Sequence, residues 1–414
     1  MTDSHRAEMP DTGELSGVSS NDAALGLPLA GLRVVELAVW VAGPAAAGLM
    51  ADWGADVIKV ESPEGDPQRA YMSAIGLSAS APNPAFSQDN RAKRSAILNL
   101  RDPDDRALFE ELLSSADIFV TNLRTDALER LDLSPRAVAD RHPRLIIAAL
   151  TGYGSVGPLR NTAAYDAGAF LSRSGLGRTN SPAERPPLTL RRGVGDHVAA
   201  MTLTAGVLAA VHQRHHTGCG QIVETSLFQA GMYAVSWDLS THLTNGSTTT
   251  LRVREQSETP LVNTYQTADS KWLYLVCLEA ERHFPKLMTA LGREDLIGDP
   301  RFVSSTQIYA HSAELVGILD QEFMLRSRDE WGELLDAHDV WWAPCQTLAE
   351  VSEDPQAHAL EAFVSVEEGD SISRTIASPV RFAGRGLSPR GPAPALGQHT
   401  AEIREQIAQR RIDK

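Results

Sequence analysis

An α/β fold, doubly wound about a parallel sheet, is what this chain predicts, and three observations carry that expectation. A strand-like run, an alanine-rich helical stretch and a second strand-like run follow one another within thirty residues, "LRVVELA" (32–38), "GPAAAGLMADWGA" (43–55) and "DVIKVE" (56–61), which implies a right-handed parallel crossover. The same alternation then repeats as far as residue 154. Finally, 414 residues with 43% hydrophobic and 22% charged side chains are enough for a soluble core larger than one domain usually needs.

Taken in order, residues 1–26 are polar and aperiodic, with no apolar pattern to offset the entropy of ordering them, so a loose tail is expected. The run at 32–38 reads as a buried strand, Pro44 suits the first turn of the following helix, and 56–61 is the second strand. "DPDDRALFEELLSSA" (102–116) has an acidic start and an apolar face at helical spacing. "DIFVTNL" (117–123) is strand-like, "SPRAVADRHP" (134–143) helical, and "RLIIAALTGYG" (144–154) runs from strand into a glycine loop. A long helix is expected at 195–218, ending at Gly218, then strand and helix in "QIVETSLFQAGMYAVSWDLS". From about 232 to 340 the character changes: "LVNTYQTADSKWLYLVCL" (261–278) reads as a hairpin turning at Asp269-Ser270, with helices after it. From 341 to 414 the chain reads as the C-terminal part of the large domain, in which "RTIASPVRFAGRGLSPRGPAPALGQHTAEIREQI" (374–407) is a Pro/Gly-rich strap closed by a final helix.

Several function classes drop out. A formal net charge of −15 opposes wholesale nucleic-acid binding, so an anionic ligand must be met by local basic clusters. Cys219, Cys277 and Cys345 are far apart and read as reduced thiols. His215, His216 and Cys219 straddle a helix end, so no metal site is expected. Gly31 and Gly43 to Gly48 do not form the G-x-G-x-x-G turn that a nicotinamide (NAD) or flavin cofactor needs, and no Walker loop occurs, which argues against a dehydrogenase or phosphotransferase. The stretch "VWVAGPAAAGLMA" is broken by Gly43-Pro44 and closed by Asp52, too short to cross a bilayer, and no export signal is visible. A cytoplasmic protein without membrane or nucleic-acid partners is expected.

One residue stands out. In "NTAAYDAGAF" (161–170), Asp166 lies among small residues with no basic neighbour. It reads as the cap of a helix beginning "AGAFLSRSGL" or as a reactive carboxylate, and the positive end of that helix would serve either role.

The collinear motifs "LPLAGLRVVEL…AGPAAAGLMADWGADVIKVESPEGDPQR", "NRAKRSAILNL", "LTGYGSVGP", "AAYDAGAF", "GDHVAAMTLTAGVLAAVHQRHHTGCGQIVETSLF" and "APCQTLAEVSEDPQAHA…ASPVRFAG…PAPALGQHT", in a match covering roughly residues 28 to 405, resemble the class III (CaiB/BaiF, formyl-CoA transferase-like) CoA-transferase family. The resemblance implies a large Rossmann-like domain built from both termini (27–231 and 341–414), a smaller α+β domain between them (232–340) and an interlocked homodimer. It implies that coenzyme A moves from an acyl-CoA to a carboxylic acid, without metal, through Asp166 as nucleophile, with an aspartyl anhydride and an aspartyl-CoA thioester as intermediates. Ala163, Ala164, Ala167 and Gly168 leave room for an acyl group. Tyr153 and Gly154 of the "TGYG" loop are candidate oxyanion donors. Lys59, Arg69, Asn90, Arg91, Lys93 and Arg94 are candidates for the CoA phosphates.

Other features qualify that picture. Val39 and Trp40 stand where many members of the family carry a polar or basic residue, and "EQSETPLVNTYQT" (255–267) lacks the glycine-rich flap of formyl-CoA transferases. Asp196 and His197 invite either a structural or an acid/base role. Racemases of the same fold show Gly-His-Asp where this chain has Ala-Tyr-Asp, and Tyr165 is a poor base near neutral pH, which favours transfer. Racemisation, intramolecular transfer and non-catalytic acyl-CoA binding remain alternatives.

Overall fold

In a computed structural model describing residues 26–76, 83–247, 251–368, 371–384 and 386–412, six parallel strands form one sheet. They are β1 (Arg33–Leu37), β2 (Asp56–Glu61), β3 (Arg94–Ile97), β4 (Ile118–Thr121), β5 (Ile146–Thr151) and β6 (Ile222–Ser226), in the order β3-β2-β1-β4-β5-β6. The order reverses direction between β1 and β4, where Val34 pairs with Val57 on one side and Ile118 on the other. In such sheets the crevice beyond the carboxyl ends at that reversal is where ligands bind. The tail expected over 1–26 lies, except for Gly26, outside the described residues.

Each face of the sheet has its own core. On one, the alanine-rich helix Ala42–Asp52 packs with the helix Val194–Thr217 through Ala46, Met50, Ala199, Leu203 and Val207. Small residues also let the helix Pro84–Asn90 come close to the first: a Cβ on Gly48 would stand 2.6 Å from the Asp89 carbonyl oxygen. On the other face, the helix Pro103–Ser114 packs beside the last helix, Thr400–Ile412, which contributes Ile403 and Ile407. Asp102 and Ser134 cap the helices that follow them, and Gly218, at φ 73°, ends the long one. That long helix has the length and composition to cross a membrane, yet its inward side chains belong to this core.

A second core, from Leu261 to Val340, surrounds an antiparallel sheet of β7 (Thr264–Gln266), β8 (Trp272–Leu275) and β9 (Trp342–Cys345). The hairpin turns through Ser270, at φ 61°. Because β9 pairs with β8, this sheet takes in residues beyond 340. Ahead of the strap, and running into its first residues, is an unforeseen hairpin, β10 (Phe363–Glu368) with β11 (Ser371–Ile376). Beyond it the chain is fastened to the first domain: Trp53 Nε1 donates to Ser378 Oγ (2.8 Å), and Arg390 donates to the Ala51 carbonyl (3.2 Å).

Candidate active site

The loop leaving β1 is held at the strand reversal by a side-chain clamp. Asn122, just past β4, accepts from the Val39 N–H (2.9 Å) and donates to the Val39 carbonyl (2.6 Å). The next residue, Trp40, takes a left-handed φ of 65°, uncommon for a bulky side chain, and its N–H donates to Asp66 Oδ1 (3.0 Å). So positioned, its ring meets Tyr165 edge-on at 5.8 Å between centroids. Tyr165 immediately precedes Asp166.

Asp166 caps a π-helical segment, Ala167–Arg173, a wide turn that recurs at functional sites. Its Oδ1 accepts the Ala167 N–H (2.8 Å), and its Oδ2 accepts the Gly195 N–H (3.2 Å) from the first turn of the long helix. Gly195 has to be glycine, since a Cβ there would stand 2.6 Å from the Phe170 ring. Among the described residues no cation pairs with Asp166. Its charge is held by two backbone dipoles at helix starts, which orient the anion without neutralising it.

Around it lies a set of acids. Asp196, half-buried and adjacent to Gly195, is pushed up to about 7 by burial first and the Asp166 charge second, against the pull of His197. His197 is held between Asp89 Oδ1 (3.0 Å from Nε2) and the Gly193 carbonyl (2.8 Å from Nδ1), and its hydrogen bond to Asp89 raises its pKa. With both ring nitrogens engaged, it is not a free base.

Asp196 gives a test of this electrostatic picture. Its carboxyl ionises near 3.8 when unfolded and near 7 when folded, so the folded state binds more protons between those values and stability falls as pH rises across that window. Asp196→Asn should therefore stabilise the protein at pH 8 by on the order of 1–2 kcal/mol after solvent screening, read as a higher thermal midpoint. The advantage should vanish near pH 3.

The expected oxyanion donors divide. The Gly154 N–H donates to Thr151 Oγ1 (2.8 Å), so it is not available to an oxyanion in this arrangement. Tyr153 packs against the core, and its hydroxyl lies 3.7 Å from where a Cβ on Gly168 would stand, in the first turn of the segment that Asp166 caps.

The six residues expected at the phosphates have other tasks. Lys59 and Lys93 are fully buried on Glu36 (2.8 and 2.7 Å), and Asn90 accepts from Lys93 (3.0 Å). Buried Arg91 pairs with Asp52 (2.6 Å) and donates to the Ile376 carbonyl of the returning chain (2.6 Å). Arg69 forks onto Glu61 and donates to the Pro394 carbonyl (3.0 Å), while Arg94 links Asp56 to Glu402 of the last helix. In this arrangement its cations answer internal carboxylates and fasten the C-terminal strap. Arg124, missed in the sequence, is exposed just after β4 and makes no ion pair among the described residues.

Residues 29–400 match the model of a family described as CoA-transferase family III. The chain is 32% identical over 381 residues to an (R)-2-hydroxy-4-methylpentanoate CoA-transferase of Clostridioides difficile, covering 92% of this chain and 95% of that one. It is 31% identical over 382 residues to a cinnamoyl-CoA:phenyllactate CoA-transferase of Clostridium sporogenes, covering 91% and 92%. The crystal structure of a CaiB/BaiF family protein from Brucella suis superposes with a TM-score of 0.81 at 28% identity, over 92% of this chain and all of that one.

Proposed function

The chain belongs to CoA-transferase family III and is a CoA-transferase, and from that premise we propose that Asp166 carries the transfer covalently. The observation behind this reading is a carboxylate oriented by two N–H groups, with no cation paired to it among the described residues. An Asp166 oxygen attacks the thioester carbonyl of the donor, and collapse expels the CoA thiolate to leave a mixed anhydride. The thiolate then attacks the aspartyl carbonyl, releasing the donor acid with one Asp166 oxygen and leaving an aspartyl-CoA thioester. The acceptor carboxylate reverses the sequence, returning an oxygen to Asp166 as its own CoA thioester departs.

The Tyr153 hydroxyl is the donor we assign to the oxyanion of the tetrahedral states. For CoA, the crevice between β1 and β4 is the site that the topology favours, with Arg124 facing the phosphates. Racemisation is disfavoured by Tyr165 beside Asp166 and by a His197 with both ring nitrogens occupied.

The experiment is incubation with an acyl-CoA alone, followed by mass spectrometry. A CoA adduct on the Asp166 peptide, discharged by hydroxylamine, is the expected result. Deuterium exchange at the α-carbon without CoA transfer would establish the racemase instead.

We also propose that two copies of the chain assemble. Tyr233 and Trp237 are 82% and 86% exposed, with Leu243 also exposed, on the consecutive helices Leu227–Ala234 and Ser236–Asn245. The adjoining apolar helix Val194–Thr217 is itself less than half buried. Apolar faces of this extent mark interaction surfaces. Light scattering should give twice the mass of one chain, and Trp237→Glu should shift it toward the monomer.

A further inference from the structure

The aromatic cluster at the mouth of the site bears on which acids are accepted. Tyr165 directly precedes Asp166 and is 64% exposed, so its ring is open to a ligand one residue from that carboxylate. Trp40 stands edge-on to it at 5.8 Å and edge-on to Tyr71 at 6.2 Å, making a continuous wall of three rings. The wall is held by backbone that the core fixes: the Asn122 clamp on Val39 and the Asp66 acceptor for the Trp40 N–H. Arg192 lies over the outer ring, 5.6 Å from the Tyr71 centroid. Among the described residues it is the cation that stacks on this cluster.

We propose that Trp40, Tyr71 and Tyr165 form the acyl-selecting wall of the site, and that the acids it takes carry an aryl or branched alkyl group in preference to a second carboxylate. This rests on the CoA-transferase reading above. An apolar side chain laid on these rings removes aromatic surface from water at no polar cost. A short diacid in the same place would press a charged group against ring faces, stripping its hydration.

The test is an acceptor competition with one acyl-CoA donor, comparing 3-phenylpropanoate with succinate in the wild type, Trp40→Ala, Tyr165→Ala and Trp40→Phe, with thermal midpoints confirming folding. Wild type should prefer 3-phenylpropanoate. The two alanine variants should raise its KM about tenfold or more with kcat changed far less, leave the succinate KM nearly unmoved, and Trp40→Phe should keep most of the preference. Two results would overturn the wall: succinate favoured by the wild type, which would point to Arg192 capturing the second carboxylate, or a parallel rise in KM for both acids. Absence of CoA transfer to any acid would instead reject the parent reading, and this inference with it.

Discussion

Asp166→Ala should lower CoA transfer by roughly 10⁴-fold or more, the scale on which loss of a covalent nucleophile is felt, and should abolish the CoA adduct. The alanine removes the attacking oxygen and both hydrogen-bond acceptors, those for Ala167 and Gly195. Asp166→Asn separates these effects. Asparagine caps a helix start as well as aspartate does, so the variant should fold, but a neutral amide cannot form the anhydride. It also takes away the negative neighbour that helps to hold Asp196 near 7, which offsets the loss of one of the two acceptor oxygens, so its thermal midpoint at neutral pH should stay close to that of the wild type. Asp166→Glu keeps the charge and moves it by one methylene, and a misplacement of that size costs about 10²-fold. The measurements are steady-state transfer rates, adduct mass and thermal midpoints. A stable Asp166→Asn protein with wild-type turnover would refute the covalent reading.

That contrast shows which parts of the molecule were legible in the sequence. Strands and helices of the parallel sheet are local patterns, and the isolation of Asp166 among small residues is visible in ten letters. The tasks of Lys93 and Arg94 are not local. Lys93 meets Glu36, 57 residues earlier, and Arg94 meets Glu402, 308 residues later, so a basic run that looked free proved to be filled by carboxylates from distant strands and the last helix. The same holds for the loop after β1. "VWV" reads as three apolar residues, and only the sheet order, which places β4 beside β1, brings Asn122 to clamp Val39 and turns Trp40 toward Tyr165. For Gly154 the local reading lacked a partner: the glycine loop is where expected, and in this arrangement the Thr151 hydroxyl takes its N–H.

Glu36→Gln should cost about 3–5 kcal/mol of stability, as removing one partner from a buried ionic set does, a large part of the roughly 5–15 kcal/mol that a domain has. In the wild type two ammonium groups, Lys59 and Lys93, balance two carboxylates, Glu36 and Asp66, inside the domain. Burial works to raise Glu36, yet the two lysines hold it below the usual carboxylate range; burial pushes Lys93 down to about 8 even with Glu36 beside it. Neutralising Glu36 leaves the set with one uncompensated positive charge. A lysine depressed in the folded state binds fewer protons there than when unfolded, so stability rises with pH from its folded value toward the ordinary 10.5. With Glu36 gone Lys93 loses its carboxylate and is depressed further, so the deficit of Glu36→Gln should shrink between pH 7 and 10. The double change Glu36→Gln with Lys93→Met restores the balance, leaving Lys59 on Asp66, and should recover at least half of the loss. Asp66 is also the acceptor for the Trp40 N–H, so the buried charges and the aromatic wall share one carboxylate. The single variant should accordingly loosen discrimination between 3-phenylpropanoate and succinate at temperatures well below its midpoint, and the double variant should regain it. If selectivity stays intact while stability falls, the ionic set supports the fold without positioning Trp40.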